Sequence, residues 1–195
     1  MLYYFPNRPV LVAADPKNPL NPSPDWLNEQ EATGKYVAEQ KWNGDNALIY
    51  TDTMEFWNRH HRQLKYRPPP EVLAELEKWP KGALLNAELV HSKTKTVKNF
   101  VLVHCIMGWE GEPLIGKTWG DSRAILETMP SGEHVKVSPV WKKGFWQLYK
   151  EADGAIIEGI ILKDPTGKLV FSASTPPPDV PWMRKVRKGC KKYAF

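Results

Sequence analysis

The chain has 195 residues, 42% of them hydrophobic and 25% charged, a balance ordinary for a soluble globular protein with one sizeable core. No apolar run approaches the length of a membrane span and no basic-then-apolar leader opens the chain, so no membrane partner is expected. Formal net charge is +5, from 27 basic and 22 acidic residues. Residues 184 to 195 hold six basic residues and no acidic one, leaving 21 against 22 elsewhere. The basicity is therefore expected to belong to the segment from Arg184 to Lys192, where it suits a polyanion. Cys105 and Cys190 give neither a disulfide framework nor metal-ligand spacing and read as free thiols. The expected location is the cytoplasm, or the host cytoplasm for a viral protein.

In chain order, a short apolar run from Val10 to Ala14 precedes a segment, 15 to 24, whose four prolines exclude a regular helix. Tyr36-Val37-Ala38 and Ala47-Leu48-Ile49-Tyr50 predict two strands joined by a turn at Asn43-Gly44. A helix is expected from Glu71 to Trp79, with Val72, Leu73, Leu76 and Trp79 on one face. Asn99 to Met107 reads as a buried strand, and Asp121 to Thr128 as a short helix capped by Asp121. Ala155–Lys163 and Lys168–Ser172 predict a hairpin around Asp164-Pro165-Thr166-Gly167. Trp182 and Val186 mark the basic segment as a strand. The expected class is α+β, antiparallel sheets with flanking helices, in a single domain over 1–195.

The stretch Glu39-Gln40-Lys41-Trp42-Asn43-Gly44-Asp45-Asn46 carries the most chemistry. A glycine turn lets the backbone approach a ligand, and a lysine beside it can act as a nucleophile once its amine is neutral. Four further blocks follow in order: Phe56-Trp57-Asn58-Arg59-His60-His61-Arg62, Leu85-Asn86-Ala87-Glu88-Leu89-Val90, Glu158-Gly159-Ile160-Ile161-Leu162-Lys163 and Trp182-Met183-Arg184-Lys185-Val186-Arg187-Lys188. This ordered set resembles the covalent nucleotidyltransferase superfamily of ATP-dependent DNA ligases, RNA ligases and mRNA capping enzymes, from about Glu39 to Lys188. The resemblance implies an ATP-grasp-like ligase adenylation domain.

It also implies roles for particular residues. Lys41 would attack the α-phosphate of ATP to give lysyl-AMP, with Mg²⁺ (or Mn²⁺), Lys163 and Lys185 depressing its pKa and neutralising the phosphates. Glu39 would accept from the adenine amino group beside Gln40. Glu88 would hold the ribose, and Glu158 a metal ion or its waters. Arg59 and Arg187 would meet ribose or phosphate, and His104 takes the place of an aromatic that stacks on adenine. Asn46, Arg62 and Lys188 would face nucleic acid. Arg59 sits in a Ser-Arg-x-Gly type block in which Asn58 replaces serine and His61 replaces glycine.

Two features qualify the match. Glu158 and Lys163 are five apart, so a regular strand would place them on opposite faces, and a bulge or a bend at Gly159 is required to unite them. Asn46 looks like the last position of nick-sealing RNA ligases, whereas DNA ligases carry arginine there, and Asn43 fits neither pattern. After Lys188 no oligonucleotide-binding fold is expected. The expected protein is a monomeric ATP-dependent RNA ligase acting on RNA or DNA strand ends. The alternatives are a minimal DNA ligase and a non-catalytic nucleic-acid-binding module.

Overall fold

Alternation of apolar and polar residues organises the chain into two sheets, each backed by helices. The computed structural model describes residues 2–12, 23–91, 93 and 96–188. The elements are β1 (Arg8–Leu11), α1 (Pro24–Ala32), β2 (Val37–Trp42), β3 (Asp45–Tyr50), β4 (Glu55–Trp57), α2 (Pro70–Leu76) and β5 (Leu84–Val90). They continue with β6 (Phe100–Trp109), β7 (Glu112–Pro113), α3 (Trp119–Leu126), β8 (Val135–Val137), α4 (Phe145–Glu151), β9 (Ile157–Lys163) and β10 (Asp179–Arg187). None of the described helices is long and apolar enough to cross a membrane. The proline-rich segment lies largely outside the described residues.

The chain divides into two compact units. One comprises Met1–Asn7, Gly44–Ser138 and Lys168–Pro178; the other comprises Arg8–Asn43, Pro139–Gly167 and Asp179–Phe195. The first contains a sheet of order β4-β3-β5-β6-β7, with β8 beside β6. Ala47, Ile49, Leu85, Ala87, Leu89, Val101 and Val103 from its strands join Val72, Leu76, Trp79 and Leu126 in one buried cluster. The alternate positions Asn46, Asn86 and Glu88 therefore share the other face of that sheet.

The second unit contains a sheet of order β1-β10-β9-β2. Ala38, Ile160, Leu162 and Val186 turn toward Leu27 of α1 and Phe145, Leu148 and Tyr149 of α4. That burial removes one face from water and leaves the odd-numbered residues of β2, β9 and β10 on the opposite side. Burial pushes the Tyr149 hydroxyl up to about 12.

Three local expectations need correction. The third helix begins at Trp119 with Thr118 as N-cap, and Asp121 is its third residue. The Thr118 hydroxyl accepts from the Asp121 N–H at 3.0 Å while the Asp121 carboxylate accepts from the Thr118 N–H at 2.8 Å, a reciprocal box. The second helix ends at Leu76, and Trp79 reaches the core through a turn. The hairpin does not form, because both edges of β9 are taken by β2 and β10. Its turn survives, with the Gly167 N–H donating to the Asp164 carbonyl at 3.0 Å. Lys168 and Ser172 instead make single bridges to Thr118 and Phe5.

Glu75 ties α2 to the segment before β8. Its carboxylate accepts from the backbone N–H groups of Glu133, His134 and Val135 at 3.0, 3.0 and 2.7 Å. Burial raises its pKa, but those three donors outweigh burial and hold it below the ordinary value. A depressed carboxylate stabilises the fold above its unfolded pKa and loses that contribution as pH falls through the folded value. Glu75→Gln is therefore expected to lower the melting temperature at pH 7, with the deficit shrinking below about pH 4. Melting curves across pH check this, and a deficit independent of pH would contradict it.

Candidate active site

The register of the second unit's sheet gathers six charged residues on its helix-free side. Glu39 and Lys41 of β2 stand opposite Ile161 and Gly159 of β9, and Lys185 and Arg187 of β10 stand opposite the same two residues. Lys163, opposite Val37 and Met183, shares that face.

Glu158 reaches the same face because the strand is irregular there. Lys41 pairs with Gly159 and Trp42 with Ile157, so Glu158 is an extra residue with no partner on β2. Gly159 follows it with φ 153°, and a Cβ there would stand 2.0 Å from the Val186 carbonyl oxygen. The close passage of β10 thus requires glycine. The bulge turns the Glu158 carboxylate toward its neighbours: Oε2 lies 2.6 Å from Lys41 Nζ and 3.1 Å from Arg187 Nε. Both are ion pairs, but neither supplies the buried Oε2 with an aligned hydrogen bond. The irregularity that uniting Glu158 with Lys163 demands is present.

Glu39 and Lys163 form a buried pair at 2.9 Å, with side chains 3% and 5% exposed. Only Oε2 of Glu39 is used; Oε1 is buried without a hydrogen-bond partner. An orphaned buried acceptor is costly, and a ligand N–H would satisfy it.

The turn after Lys41 is anchored on both sides. Asn43 donates from Nδ2 to the Ala155 carbonyl at 2.8 Å, and its N–H donates to the Ile156 carbonyl at 2.9 Å. The segment it grips is fixed by Asp153, whose Oδ1 accepts from the N–H groups of Ala155, Ile156 and Ile157. Burial raises the Asp153 pKa, and these donors more than reverse it, leaving it below the ordinary range. Asparagine at 43 is explained: an aspartate has no donor for Ala155. Asn43→Asp should cost about 1 kcal/mol, read by urea unfolding. An unchanged midpoint would mean that the side chain does not hold the turn.

In the other unit, the Gly44 N–H donates to Glu88 Oε1 at 2.9 Å. A Cβ on Gly44 would lie 2.6 Å from the Leu89 carbonyl oxygen, so the strand–turn approach again needs glycine. Asn46, opposite Glu88 in the register, donates to Asn86 Oδ1 at 2.7 Å. Asn86 was not anticipated, although alternation in Leu84–Val90 places it on the face of Glu88. His104 is another extra residue: Cys105 pairs with Asn86 and Val103 with Ala87, leaving it unmatched on β5.

Arg59 and Arg62 are exposed in the loop after β4. His61, at the position of the motif's glycine, has φ 59°, which explains the glycine preference. Tyr3 supports it by ring stacking at 4.0 Å, and the Tyr3 hydroxyl accepts from the His61 N–H at 3.1 Å.

Two expected contacts lie elsewhere. Gln40, opposite Ile160, is on the face that turns toward α1 and α4, away from Glu39 and Lys41. Lys188 donates from Nζ to the carbonyls of Lys150 and Ala152 at the end of α4, where a cation offsets the helix dipole. Arg184 bonds Gln30 at 3.0 Å and lies over the Tyr36 ring. The basic segment is thus divided: Lys185 and Arg187 face the charged side, while Arg184 and Lys188 serve the fold.

A ligand set for ATP fits what is present, namely the orphaned Glu39 Oε1 and four cations against two carboxylates on one face. Among the described residues, no group of three or more His, Cys, Asp or Glu stands ready to hold a metal. Glu158 alone fits a Mg²⁺ held mainly by phosphates and water.

The fold is similar to that of the nucleotidyltransferase domains of ATP-dependent ligases. Mycobacterial DNA ligase D, complexed with ATP and MES, superposes with a TM-score of 0.63 at 15% identity over 95% of this chain and 60% of that one. The ligase domain of LigD from M. tuberculosis gives 0.59 at 17% identity, covering 76% of this chain and 52% of that one. A Lig E DNA ligase gives 0.57 at 13%, covering 80% and 62%. The chain thus spans between 52% and 62% of the length of these proteins. At such identities the likeness is one of fold. No family model matches the sequence, and no curated protein does.

Proposed function

We propose that the protein is an ATP-dependent polynucleotide ligase that works through lysyl-AMP on Lys41. The observation that carries this is the placement of Lys41, Glu158, Lys163, Lys185 and Arg187 on one sheet face beside the half-satisfied Glu39. The Lys41 nitrogen attacks the α-phosphorus of ATP. A P–N bond forms, the P–O bond to pyrophosphate breaks, pyrophosphate leaves, and the nitrogen loses its proton. Glu158 holds Lys41 before attack and is the nearest carboxylate to that proton. Lys163, Lys185 and Arg187 place positive charge where the phosphates gain negative charge. Glu39 Oε1 accepts from the adenine amino group, Lys163 fixing the carboxylate that does so. Glu158 is the residue that would hold Mg²⁺ or its waters, and the ion would supply positive charge to screen the phosphates. AMP then passes to a strand 5′-phosphate, and a 3′-hydroxyl displaces it to seal the strand.

RNA is the favoured substrate, because Asn46 takes the position that is asparagine in nick-sealing RNA ligases. A minimal DNA ligase is the second reading, in keeping with the likeness of fold to mycobacterial DNA ligase D and a Lig E DNA ligase. Sealing of nicked RNA and nicked DNA duplexes with ATP and Mg²⁺ tests the choice. Joined RNA at the higher rate supports the first reading; joined DNA alone overturns it. A protein that binds both and joins neither is a non-catalytic module.

A further inference from the structure

The loop that carries Arg59 has a backbone its own sequence does not favour. His61 holds φ 59°, a left-handed conformation that strains a residue with a β-carbon and leaves glycine unstrained. Asn58 closes the loop from within. Its N–H donates to the Arg62 carbonyl at 2.8 Å, and its Oδ1 accepts from the N–H groups of His60 and Arg62 at 2.9 and 3.1 Å. Its carbonyl accepts from the His61 N–H at 3.2 Å, at the long end for such a bond. All of these bonds are to backbone groups, and none of them holds the His61 ring.

Tyr3 supplies that support. Its hydroxyl donates to the Asn58 carbonyl at 2.9 Å and accepts from the His61 N–H at 3.1 Å, so one side chain joins the residues on either side of Arg59 and His60. Its ring stacks on the His61 ring at 4.0 Å and 14°, with Phe5 edge-on to that ring at 5.9 Å and Trp57 tilted at 5.6 Å. Burial raises the Tyr3 pKa more than the His61 N–H lowers it, so the hydroxyl keeps its proton and remains a donor. The segment that brings Tyr3 here is itself fixed. The Phe5 N–H donates to the Ser172 carbonyl at 2.8 Å, and Asn7 and Val170 bond reciprocally at 2.8 and 3.2 Å. All of these residues belong to one unit. Arg59, between the two points that Tyr3 grips, is exposed and donates from Nε to His60 Nε2 at 3.3 Å. It forms no ion pair among the described residues, which leaves its charge for a ligand.

We propose that Tyr3 is a positioning residue for Arg59: it stabilises the strained His61 turn that stands where the motif has glycine, and so holds the arginine in the orientation that meets ATP. Tyr3 touches no reacting atom. This rests on the ligase reading, in which Arg59 meets the ribose or a phosphate. Tyr3 and His61 then form a compensating pair, and a glycine at position 61 makes the tyrosine dispensable.

The test reads the ATP concentration that half-saturates labelling by α-labelled ATP, beside the melting temperature and the rate of trypsin cleavage after Arg59 and Arg62. Tyr3→Ala is expected to raise the half-saturating concentration about fivefold or more, because a misaimed contact loses much of its value, and to speed cleavage about tenfold by opening the loop. Tyr3→Phe keeps the stack and loses both hydrogen bonds; it tests the same claim without risk to the fold and should raise the concentration about twofold. His61→Gly added to Tyr3→Ala should recover most of the loss in ATP dependence without restoring the melting temperature. In an Arg59→Ala background, Tyr3→Ala should add nothing further to the half-saturating concentration. A lowered melting temperature with wild-type ATP dependence in Tyr3→Ala, no recovery with glycine, or a Tyr3 effect that persists in full without Arg59 would each overturn the proposal. A wild type that takes no label would sink the ligase reading. Trypsin then decides the positioning claim: faster cleavage in Tyr3→Ala supports it, and an unchanged rate overturns it.

Discussion

Gly159→Ala is expected to destabilise the protein by about 3 kcal/mol or more and to abolish adenylylation. The added Cβ would sit 2.0 Å from the Val186 carbonyl oxygen and 3.0 Å from the Arg187 Cα, and both are backbone atoms that no rotamer change can move. Either β10 shifts away or the bulge at Glu158 straightens. Straightening would carry the Glu158 carboxylate to the face that α4 covers, away from Lys41 and Arg187. Urea unfolding and labelling with α-labelled ATP check both consequences. A variant with wild-type midpoint and wild-type labelling would show that the bulge does not depend on glycine and does not present Glu158.

Breaking the buried pair should have the next largest effect. Lys163→Met leaves Glu39 as a carboxylate 3% exposed with no counter-charge, which costs about 3–5 kcal/mol in comparable sites. Glu39→Leu removes the carboxylate that the Lys163 ammonium donates to at 2.9 Å and should also destabilise the fold. The double variant, with two apolar side chains of similar length, should recover most of that loss, because the penalty comes from an unpaired buried charge and not from the absence of a salt bridge. All three should fail to take label, since the proposed purine acceptor and one proposed phosphate-facing cation belong to the same pair. A double variant as unstable as the sum of the singles would contradict this account. So would a double variant that still takes label at the wild-type rate.

The sequence was most legible where chemistry and periodicity coincide. The two strands around Asn43-Gly44 were visible because apolar residues bracket a glycine turn. The strand carrying Lys185 and Arg187 was visible because Trp182 and Val186 interrupt a basic run. The need for an irregularity near Gly159 followed from counting alone, five residues being an odd offset on a period of two. Other features depend on partners distant in sequence. Helix α1 buries only Leu27 and α4, with Phe145, Leu148 and Tyr149 three and four apart, is only seven residues long, so the burial of both depends on packing with distant strands and with each other. Thr118 displaced Asp121 as a cap because two residues shared the motif and only geometry chooses between them. Lys188 reads as a nucleic-acid contact in a basic run, yet its ammonium donates to the carbonyls at the end of α4. Gln40 could have been placed by parity, since its neighbours on both sides are the residues on the charged face.

The most direct test of the central claim is to incubate the purified protein with α-labelled ATP and Mg²⁺ beside Lys41→Ala, denature both, and map any label by peptide mass. The account predicts label on the wild type alone, on the peptide that contains Lys41. Label on both proteins, label on a different lysine, or none on folded wild type that carries no AMP beforehand would contradict it.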